Sequence, residues 1–380
     1  MGTNRFSQLD LKKIPSPSFL VDEGLIEENL RILDSVQKKT GCKIFLALKG
    51  YAMWSTFPIV KKYLAGVCAS SVNEAKLGHK DFGKEIHAYA PAYSKEDIKN
   101  LVKYCTAISF NSFSQWKSYK GFFMRKKIKC GLRVNPEYSE IKTELYNPCL
   151  KNSRLGVLES EMKGEDLTGL SGLHFHALCE QQAVTLEKVL AAFKKRFGKY
   201  LNGMSWVNFG GGHHITHPSY NREKLCELII DFREKYNVDV YLEPGTSVAL
   251  NAGILVAAVL DIVHGNVVIL DTSAEAHMPD VLAMPYRPEI INAGLPKEKK
   301  HTYIIGGITC LAGDIIGEYS FDNPLKIGDK IVFLDMAHYS MVKTTMFNGI
   351  QHPSIGIIKK NGEVKILRRF GYEDYRDRLS

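Results

Sequence analysis

The sequence lacks paired cysteines and long apolar runs. None of its eight cysteines belongs to a CxxC pair, and several lie inside apolar stretches, so a disulfide framework is not expected. The longest apolar run, residues 252–260, is too short to cross a bilayer and is followed at once by Asp261. The first residues contain no apolar segment of the kind found in secretory signals. We therefore predict a cytoplasmic protein that does not span a membrane.

The chain is basic, but its positive charge is dispersed. The net charge is +9 over 380 residues, of which 45% are apolar and 24% charged, an ordinary balance for a globular protein with a core. No nucleic-acid recognition motif accompanies the lysines and arginines, so nucleic-acid binding is not expected. Anionic cofactor groups or solubility explain the charge equally well. The length favours two domains, or a barrel with an added domain.

The first two-thirds of the chain alternate short apolar runs with amphipathic stretches. Four stretches have helical periodicity (24–39, 94–104, 184–197 and 221–236), and Ser94 with Asp97 forms a capping box at the start of one. Eight runs are candidate strands: 43–49, 66–71, 85–90, 107–112, 129–136, 169–177, 205–212 and 238–245. Eight βα units are the number that closes a (β/α)8 barrel, although an open doubly wound sheet has the same local pattern.

Unusual residues at the ends of these runs favour the barrel. Lys49, Arg133, His176, Gly210–Gly212 and Glu243 fall at or just beyond the C-terminal ends of candidate strands. In a barrel these ends converge on one mouth, where active sites form, whereas an open sheet would spread them along an edge.

After residue 250 the pattern becomes strand-rich. Turn residues separate six apolar runs with no long helix between them, which predicts an antiparallel β domain: 254–263, 267–272, 302–308, 330–336, 355–360 and 363–370. Segment 17–22 has no place in the barrel and is expected to join that domain. The predicted fold is therefore α/β, with a (β/α)8 TIM-like barrel over residues 24–250. A C-terminal antiparallel β domain is built from residues 1–23 and 251–380.

Three groups near the predicted mouth indicate chemistry. Lys49 ends an apolar strand, where a buried or half-buried amine would be a neutral nucleophile able to form a Schiff base, or else simply a lysine whose charge reaches solvent. The glycines Gly210, Gly211 and Gly212 would let backbone N–H groups approach a phosphate, or would form a plain turn. Glu243 could hold a pyridine nitrogen protonated, or could face solvent.

The histidines and cysteines are more ambiguous. His174 and His176 share one face of a strand, so they could be a metal pair, or one imidazole could stack on a flat ring. Because no acidic or cysteine partner accompanies His213, His214 and His217, we predict no metal. Cys310, taken by itself, is typical of a buried structural cysteine.

Taken together, these motifs resemble those of the alanine-racemase-fold PLP (pyridoxal 5'-phosphate) decarboxylases, a group that includes ornithine, arginine and diaminopimelate decarboxylases. The resemblance covers nearly the whole chain and keeps the motifs in order: the Lys49 strand, His176, the three glycines, the EPG sequence at Glu243, and Cys310 followed by Asp314. An A-x-Y…FNG run containing Tyr339 comes last. The resemblance implies a PLP-binding barrel, a C-terminal β domain, and a homodimer whose active sites are shared between subunits.

The resemblance also implies roles for individual residues. Lys49 would carry PLP as a Schiff base, His176 would stack on its ring, and Glu243 would pair with its nitrogen. Cys310 of the opposite subunit would reprotonate Cα after CO2 leaves. The implied phosphate site consists of Gly210, Gly211, Gly212, Gly245 and Tyr339, and the implied substrate-binding carboxylates are Glu243, Glu275, Asp280 and Asp314. Thr246 stands where ornithine-type enzymes have Arg, and Cys179 replaces a phosphate-binding Ser.

Within that group the chain resembles the branch of polyamine synthesis, on residues 176–180, 271–288 and 310–314. The implied substrate is a small polycationic amino acid, carboxynorspermidine or carboxyspermidine. Rival hypotheses remain, and one is that the chain decarboxylates another basic amino acid with the same fold. Diaminopimelate decarboxylation would require an arginine in the pocket, for which Arg287 is the candidate, and a metal-dependent barrel hydrolase would use His174 and His176 as ligands.

Overall fold

The computed structural model describes residues 3–380. The strands, numbered along the chain, are β1 Ser18–Asp22, β2 Lys43–Ala47, β3 Gly66–Ala69, β4 Glu85–Tyr89, β5 Ala107–Phe110, β6 Lys129–Arg133, β7 Gly172–His174, β8 Trp206–Asn208, β9 Asp239–Leu242, β10 Gly253–Val263, β11 Val267–Leu270, β12 His301–Gly306, β13 Ile315–Phe321, β14 Lys330–Leu334, β15 Ser354–Ile358 and β16 Val364–Arg368.

The α-helices are α1 Thr3–Phe6, α2 Glu23–Thr40, α3 Phe57–Val60, α4 Val72–Leu77, α5 Lys95–Leu101, α6 Phe113–Phe123, α7 Glu159–Met162, α8 Ala183–Phe197, α9 Arg222–Tyr236, α10 Thr246–Ala249, α11 Ala274–His277, α12 Asp280–Ala283, α13 Ser340–Lys343 and α14 Tyr372–Arg376. The chain divides into two compact units, one formed by Glu27–Val248 and the other by the described residues up to Ile26 together with Ala249–Ser380. No helix within residues 3–380 is both long and apolar enough to cross a membrane.

The first unit is a closed barrel of eight parallel strands, β2 to β9, in which β9 pairs with β2. Parallel neighbours need a crossover between them, and helices supply several of these crossovers. Ser94 caps α5 with the capping box that the sequence predicts. The open-sheet alternative is therefore wrong, and the expected barrel is confirmed.

Large rings fill the barrel interior because facing positions are glycines. A Cβ atom on Gly172 would lie 2.1 Å from the Trp206 ring, and one on Gly131 would lie 2.2 Å from it. Trp206 stacks on Tyr241 with ring centroids 5.6 Å apart, and Phe45 packs edge-on against Tyr241. The barrel interior around these rings is thus a packed core, and a cavity can form only at the C-terminal ends of the strands.

The second unit is an eight-stranded sheet. β1 pairs with β10 and β15, so the segment around 17–22 contributes a strand to this unit. The predicted β domain is confirmed and most of its strand pairs are antiparallel, but the sheet is mixed, because β1 pairs with β15 and β11 with β12 in parallel. The physical reason is connection length. A parallel pair needs a long crossover, and residues 271–300, which include α11 and α12, provide one between β11 and β12.

Candidate active site

A cavity opens at the C-terminal ends of the barrel strands. It encloses about 370 Å³ of empty space, part of it open to solvent. Its walls come from the ends of β2, β3, β4, β6, β7 and β9, as a parallel barrel requires. The structure brings Lys49, His176 and Glu243 together here, and the full lining is Ala47, Lys49, Cys68, Ala69, Ser70, Tyr89, Arg133, His174, His176 and Glu243.

Lys49 lies two residues beyond the end of β2, in a turn closed by the hydrogen bond from Gly50 N–H to the Ala47 carbonyl (3.0 Å). The expectation of a buried or half-buried side chain is wrong, because Lys49 projects into the cavity and is exposed there to solvent. The barrel wall nevertheless surrounds the amine. This desolvation lowers the pKa of Lys49, and the positive charge of Arg133 lowers it further. A lowered pKa favours the neutral, nucleophilic amine.

Glu243 follows β9 and is largely buried. Asn208 Nδ2 donates to its Oε1 at 2.5 Å, and His174 Nε2 lies 3.6 Å from its Oε2. Burial alone would raise the pKa of Glu243, but His174, Cys68 and Asn208 together bring it below its ordinary value. Glu243 is therefore an ionised carboxylate at the cavity wall, able to accept a hydrogen bond from a cationic ring nitrogen.

His176 is held as a neutral imidazole. Its Nδ1 accepts the Gly211 N–H at 2.8 Å, which leaves Nε2 to carry the ring proton. Burial lowers the pKa of His176 well below its usual value, and the charges of Lys49 and Arg133 add to that effect. A neutral ring with fixed orientation suits contact with a flat aromatic ligand.

His174 does not join His176 in a metal site. Burial lowers the pKa of His174 to about 4, and its ring packs edge-on against Tyr89 with centroids 5.4 Å apart. Over residues 3–380, no three His, Cys, Asp or Glu side chains cluster in a way that could hold a metal ion. The geometry therefore gives no support to the metal-hydrolase hypothesis.

The glycine run after β8 is required by close packing. Gly210 and Gly212 have φ of +71° and +81°, and a Cβ on Gly212 would lie 1.9 Å from the Leu178 carbonyl oxygen. The Gly210 N–H donates to Asn208 Oδ1 (2.8 Å), and the Gly211 N–H is used by His176. Within the described chain, Gly212 is the one of the three whose N–H has no acceptor. The Gly212 N–H is therefore available to a ligand, and the phosphate contact of the three glycines stays a prediction.

Gly245 supports the lysine turn. A Cβ on Gly245 would lie 3.1 Å from Gly50 Cα and 3.3 Å from the Ala47 carbonyl oxygen. A side chain here would press on the turn that carries Lys49. The structure thus gives Gly245 a packing role beside the lysine turn, and its phosphate contact stays a prediction.

The remaining predicted residues belong to the sheet unit. Cys310 lies in the turn between β12 and β13 and is exposed, so its interpretation as a buried structural cysteine is wrong. The turn leaves the sheet, and its position is fixed by the hydrogen bond from Cys310 N–H to Asn348 Oδ1 at 2.6 Å. Tyr339 precedes α13 with φ of +53°.

The three acidic residues of this unit differ in availability. Asp314 is buried, and its carboxylate accepts the Ala274 N–H (2.7 Å) and the Thr309 hydroxyl (2.6 Å), along with two further N–H groups. This geometry does not support the expected amine-binding role, because the carboxylate is saturated by its own chain. Asp280 forms an ion pair with Lys343. Glu275 is half-buried and has no ion pair within the described residues.

Sequence reasoning missed three residues that shape the cavity. Asn208 bonds to Glu243, Cys68 lines the wall beside Glu243, and the Tyr89 ring lies under the Arg133 guanidinium. Asn208 had a detectable signal, since it is a polar residue at the end of an apolar strand, two positions before the glycine run. Cys68 and Tyr89 fit apolar strands, so nothing in their local pattern distinguished them.

The chain belongs to the pyridoxal-dependent decarboxylases. The family model described as "Pyridoxal-dependent decarboxylase, C-terminal sheet domain" matches residues 19–337. Members of this family use PLP, which is therefore the cofactor of this chain.

Particular relatives narrow the comparison. The carboxynorspermidine/carboxyspermidine decarboxylase of Campylobacter jejuni is 45% identical, over 96% of this chain and 98% of that protein. The carboxyaminopropylagmatine decarboxylase of Synechocystis sp. is 43% identical, over 97% of this chain and 96% of that protein. A crystal structure of carboxynorspermidine decarboxylase from C. jejuni, complexed with norspermidine, superposes with a TM-score of 0.90 at 43% identity, covering 96% of this chain and all of that one.

The residues of the cavity fit PLP. An exposed amine with a lowered pKa, an ionised buried carboxylate and a neutral imidazole of fixed orientation line one space. The amine could condense with the aldehyde of PLP, the carboxylate could pair with its pyridine nitrogen, and the imidazole could lie against its flat ring.

Proposed function

We propose that this protein decarboxylates carboxynorspermidine or carboxyspermidine, producing norspermidine or spermidine in polyamine synthesis. The observation that carries the proposal is the convergence of Lys49, His176 and Glu243 on one cavity. The chain bearing them is 45% identical, over nearly its whole length, to a relative named for that reaction.

In this proposal each cavity residue has one task. The Lys49 amine would hold the cofactor through its aldehyde. His176 supports the ring, the Gly212 N–H contributes to the phosphate site, and Glu243 keeps the ring nitrogen protonated. When bound, the pyridine ring supplies an electron sink for the electron pair left at Cα as CO2 departs. Cys310, whose thiol is exposed on its turn, returns a proton to Cα.

The polycationic substrate needs carboxylates. Glu275 is the strongest candidate, because it is half-buried and without an ion pair in the part of the chain described here. Asp280 can contribute only if a substrate amine competes with Lys343 for its carboxylate. Asp314 is better explained as a residue that positions the 309–314 turn and the start of α11.

We further propose a homodimer in which Cys310 of one subunit completes the site of the other. Four apolar side chains in or next to the Cys310 turn are each 40–42% exposed: Ile308, Leu311, Ile315 and Phe347. Phe347 belongs with them because it precedes Asn348, which accepts the Cys310 N–H. Apolar side chains so exposed around one polar residue are typical of a subunit interface. The free state of all eight cysteines agrees with the predicted cytoplasmic location.

Release of CO2 by the purified holoenzyme tests the proposal. The substrates would be carboxynorspermidine, carboxyspermidine, carboxyaminopropylagmatine and diaminopimelate. We expect kcat/KM to be highest for one of the first two. A preference for diaminopimelate would overturn the proposal, although Arg287, the residue that hypothesis needs, already stacks on Tyr319 at 4.5 Å and donates to the Gly294 carbonyl.

The lysine assignment has its own experiment. Borohydride reduction of the holoenzyme should attach PLP to the peptide containing Lys49, and Lys49→Ala should abolish both this label and CO2 release. Lys62→Ala, which removes an exposed lysine outside the cavity lining, is the matched control and should keep both. A label at another lysine would disprove the role given to Lys49.

A further inference from the structure

Arg133 places a buried positive charge in the cavity without an acidic partner. The residue ends β6, is 5% exposed and lines the cavity. Its guanidinium donates one long hydrogen bond, to the His176 carbonyl at 3.4 Å. Over residues 3–380, no Asp or Glu forms an ion pair with it. Buried arginines are usually paired, so this arrangement needs a physical explanation.

The Tyr89 ring attracts the Arg133 guanidinium, which is the role that an acidic residue normally has beside a buried arginine. The Arg133 guanidinium carbon lies 4.5 Å from the centroid of the Tyr89 ring, a cation–π contact. The Tyr89 hydroxyl donates to Asn111 Oδ1 at 2.6 Å, and the same oxygen accepts the Gly156 N–H at 2.7 Å. Asn111 Nδ2 in turn donates to the Arg154 carbonyl at 2.8 Å. The ring under Arg133 is therefore anchored to a second loop of the barrel.

We propose that Tyr89 is a positioning residue that holds the Arg133 guanidinium in the cavity, as an uncancelled positive charge facing the Lys49 amine. A carboxylate in the same place would neutralise the guanidinium, whereas an aromatic face attracts the cation and leaves its net charge intact. The inference rests on the proposed function, because it takes Lys49 as the amine to which PLP attaches.

The charges around Lys49 show why such a device is useful. Desolvation by the surrounding barrel wall and the charge of Arg133 oppose protonation of the amine, while Glu243 and Glu74 favour it. Cys68 on β3 also faces the amine, and the two imidazoles on the β7 side are neutral near pH 7 because their pKa values are lowered. Arg133 is thus the cation that offsets Glu243. Without it, the neutral fraction of Lys49 at a given pH would fall, and it would recover as the pH rises.

The test measures how fast PLP attaches to Lys49 at different pH. The full-length protein is freed of PLP by dialysis with hydroxylamine, mixed with PLP between pH 6.5 and 10, and quenched with borohydride at set times. The mass of the Lys49 peptide then reports attachment without any decarboxylation. For Arg133→Met and Tyr89→Leu we expect about a tenfold slower attachment at pH 7.5, the effect of one neighbouring charge, and the wild-type rate at high pH.

Three comparison variants make the outcome decisive. Arg133→Lys restores a cation and should return most of the rate. Tyr89→Phe keeps the ring but loses the hydroxyl that anchors it, so it should also return most of the rate. Tyr104→Leu removes a tyrosine outside the cavity lining and should keep the wild-type rate. A rate lowered equally at every pH in Arg133→Met and Tyr89→Leu would indicate damage to the fold and overturn the inference, as would a wild-type pH profile. Absence of label at Lys49 in the wild type would instead refute the proposed function.

Discussion

Asn208 holds two parts of the cavity with one side chain. Its Nδ2 donates to Glu243, and its Oδ1 accepts the Gly210 N–H. The carboxylate proposed to pair with the ring nitrogen is therefore tied to the glycine run proposed to reach the phosphate. A single amide orients both groups and stabilises the ionised form of Glu243.

The substitution Asn208→Ala should make activity more sensitive to acid. The pKa of Glu243 is below its ordinary value, and losing the Asn208 donor must move it upward. Because the proposed function needs the ionised carboxylate, the acidic limb of the kcat/KM profile should move to higher pH. The loss should be small near neutral pH and should grow toward about tenfold at the acidic end of the profile. The pH profile with the best substrate checks this. Asn202→Ala, at an exposed asparagine, is the control, and an unshifted acidic limb would contradict the prediction.

Individual site residues were predictable only where chemistry left a mark on the sequence. Lys49 and Glu243 stand out because charged residues rarely end buried parallel strands. Their surroundings did not stand out. The exposure of Lys49 follows from the cavity, and the contact between Tyr89 and Arg133 joins strands β4 and β6, so no local pattern reveals it. Cys310 was wrongly predicted to be buried because its neighbours in the sequence are apolar. Apolar neighbours indicate burial only when the segment stays inside the sheet, and Cys310 lies in a turn that leaves it.

The turn after β8 depends on glycine for two separate reasons. Gly212 has φ of +81°, and its missing Cβ also leaves room for the Leu178 carbonyl. Gly203 has nearly the same φ, +84°, but nothing lies within 4 Å of the position of its Cβ. This pair separates the cost of the backbone conformation from the cost of crowding.

Alanine at these two positions should therefore give different results. Gly203→Ala should lower the free energy of unfolding by roughly 1–2 kcal/mol, the cost of a left-handed alanine. Gly212→Ala should cost about 1–3 kcal/mol more through the clash and should also reduce bound PLP. Urea unfolding and PLP content per chain measure the two effects. Equal losses in both variants would show that the loop after β7 gives way without penalty.

A substitution at Asp314 can distinguish a carboxylate that binds the substrate amine from one that stabilises the 309–314 turn. Asp314→Asn replaces an acceptor with a donor that faces N–H groups, so it should cost roughly 2–3 kcal/mol of stability. Because the same turn carries Cys310, kcat should fall as well. Thermal unfolding and steady-state kinetics check this, with Asp322→Asn at an exposed site as control. A rise in KM alone, at unchanged stability, would restore Asp314 as an amine-binding residue.

Element boundaries show what hydrophobic patterns do and do not report. The run 169–177 predicts a long strand, yet β7 covers only Gly172–His174. Phe175 and Ala177 lie beyond the end of this strand and are still buried. The Phe175 N–H donates to the Asn208 carbonyl of β8, and its ring packs against Phe193 and Phe209. Strand β13 was missed since its burial does not alternate along Ile315–Phe321. Burial can be read from a sequence, whereas strand pairing depends on partners far away in the chain.

The predicted site residues are divided between the two units of the chain. Lys49, His176 and Glu243 belong to the barrel, and Cys310 and Tyr339 belong to the sheet. The strand β1 shows how closely the sheet depends on both ends of the chain, since it pairs with β10 and β15. A function that needs groups from both units can be completed within one subunit or between two, and only an experiment on mixed subunits distinguishes these cases.

Mixing two inactive variants should recover activity if sites are shared. Lys49→Ala lacks the cofactor amine, and Cys310→Ala lacks the proposed proton donor. If each site combines Lys49 of one subunit with Cys310 of the other, half of the randomly mixed dimers contain one intact site, and about a quarter of the wild-type activity returns. Sedimentation should show dimers throughout, and Leu311→Asp at the exposed turn should shift them toward monomers. Mixed subunits that dimerise and exchange, yet recover no activity, would place Lys49 and Cys310 of each site in the same subunit or remove Cys310 from the reaction.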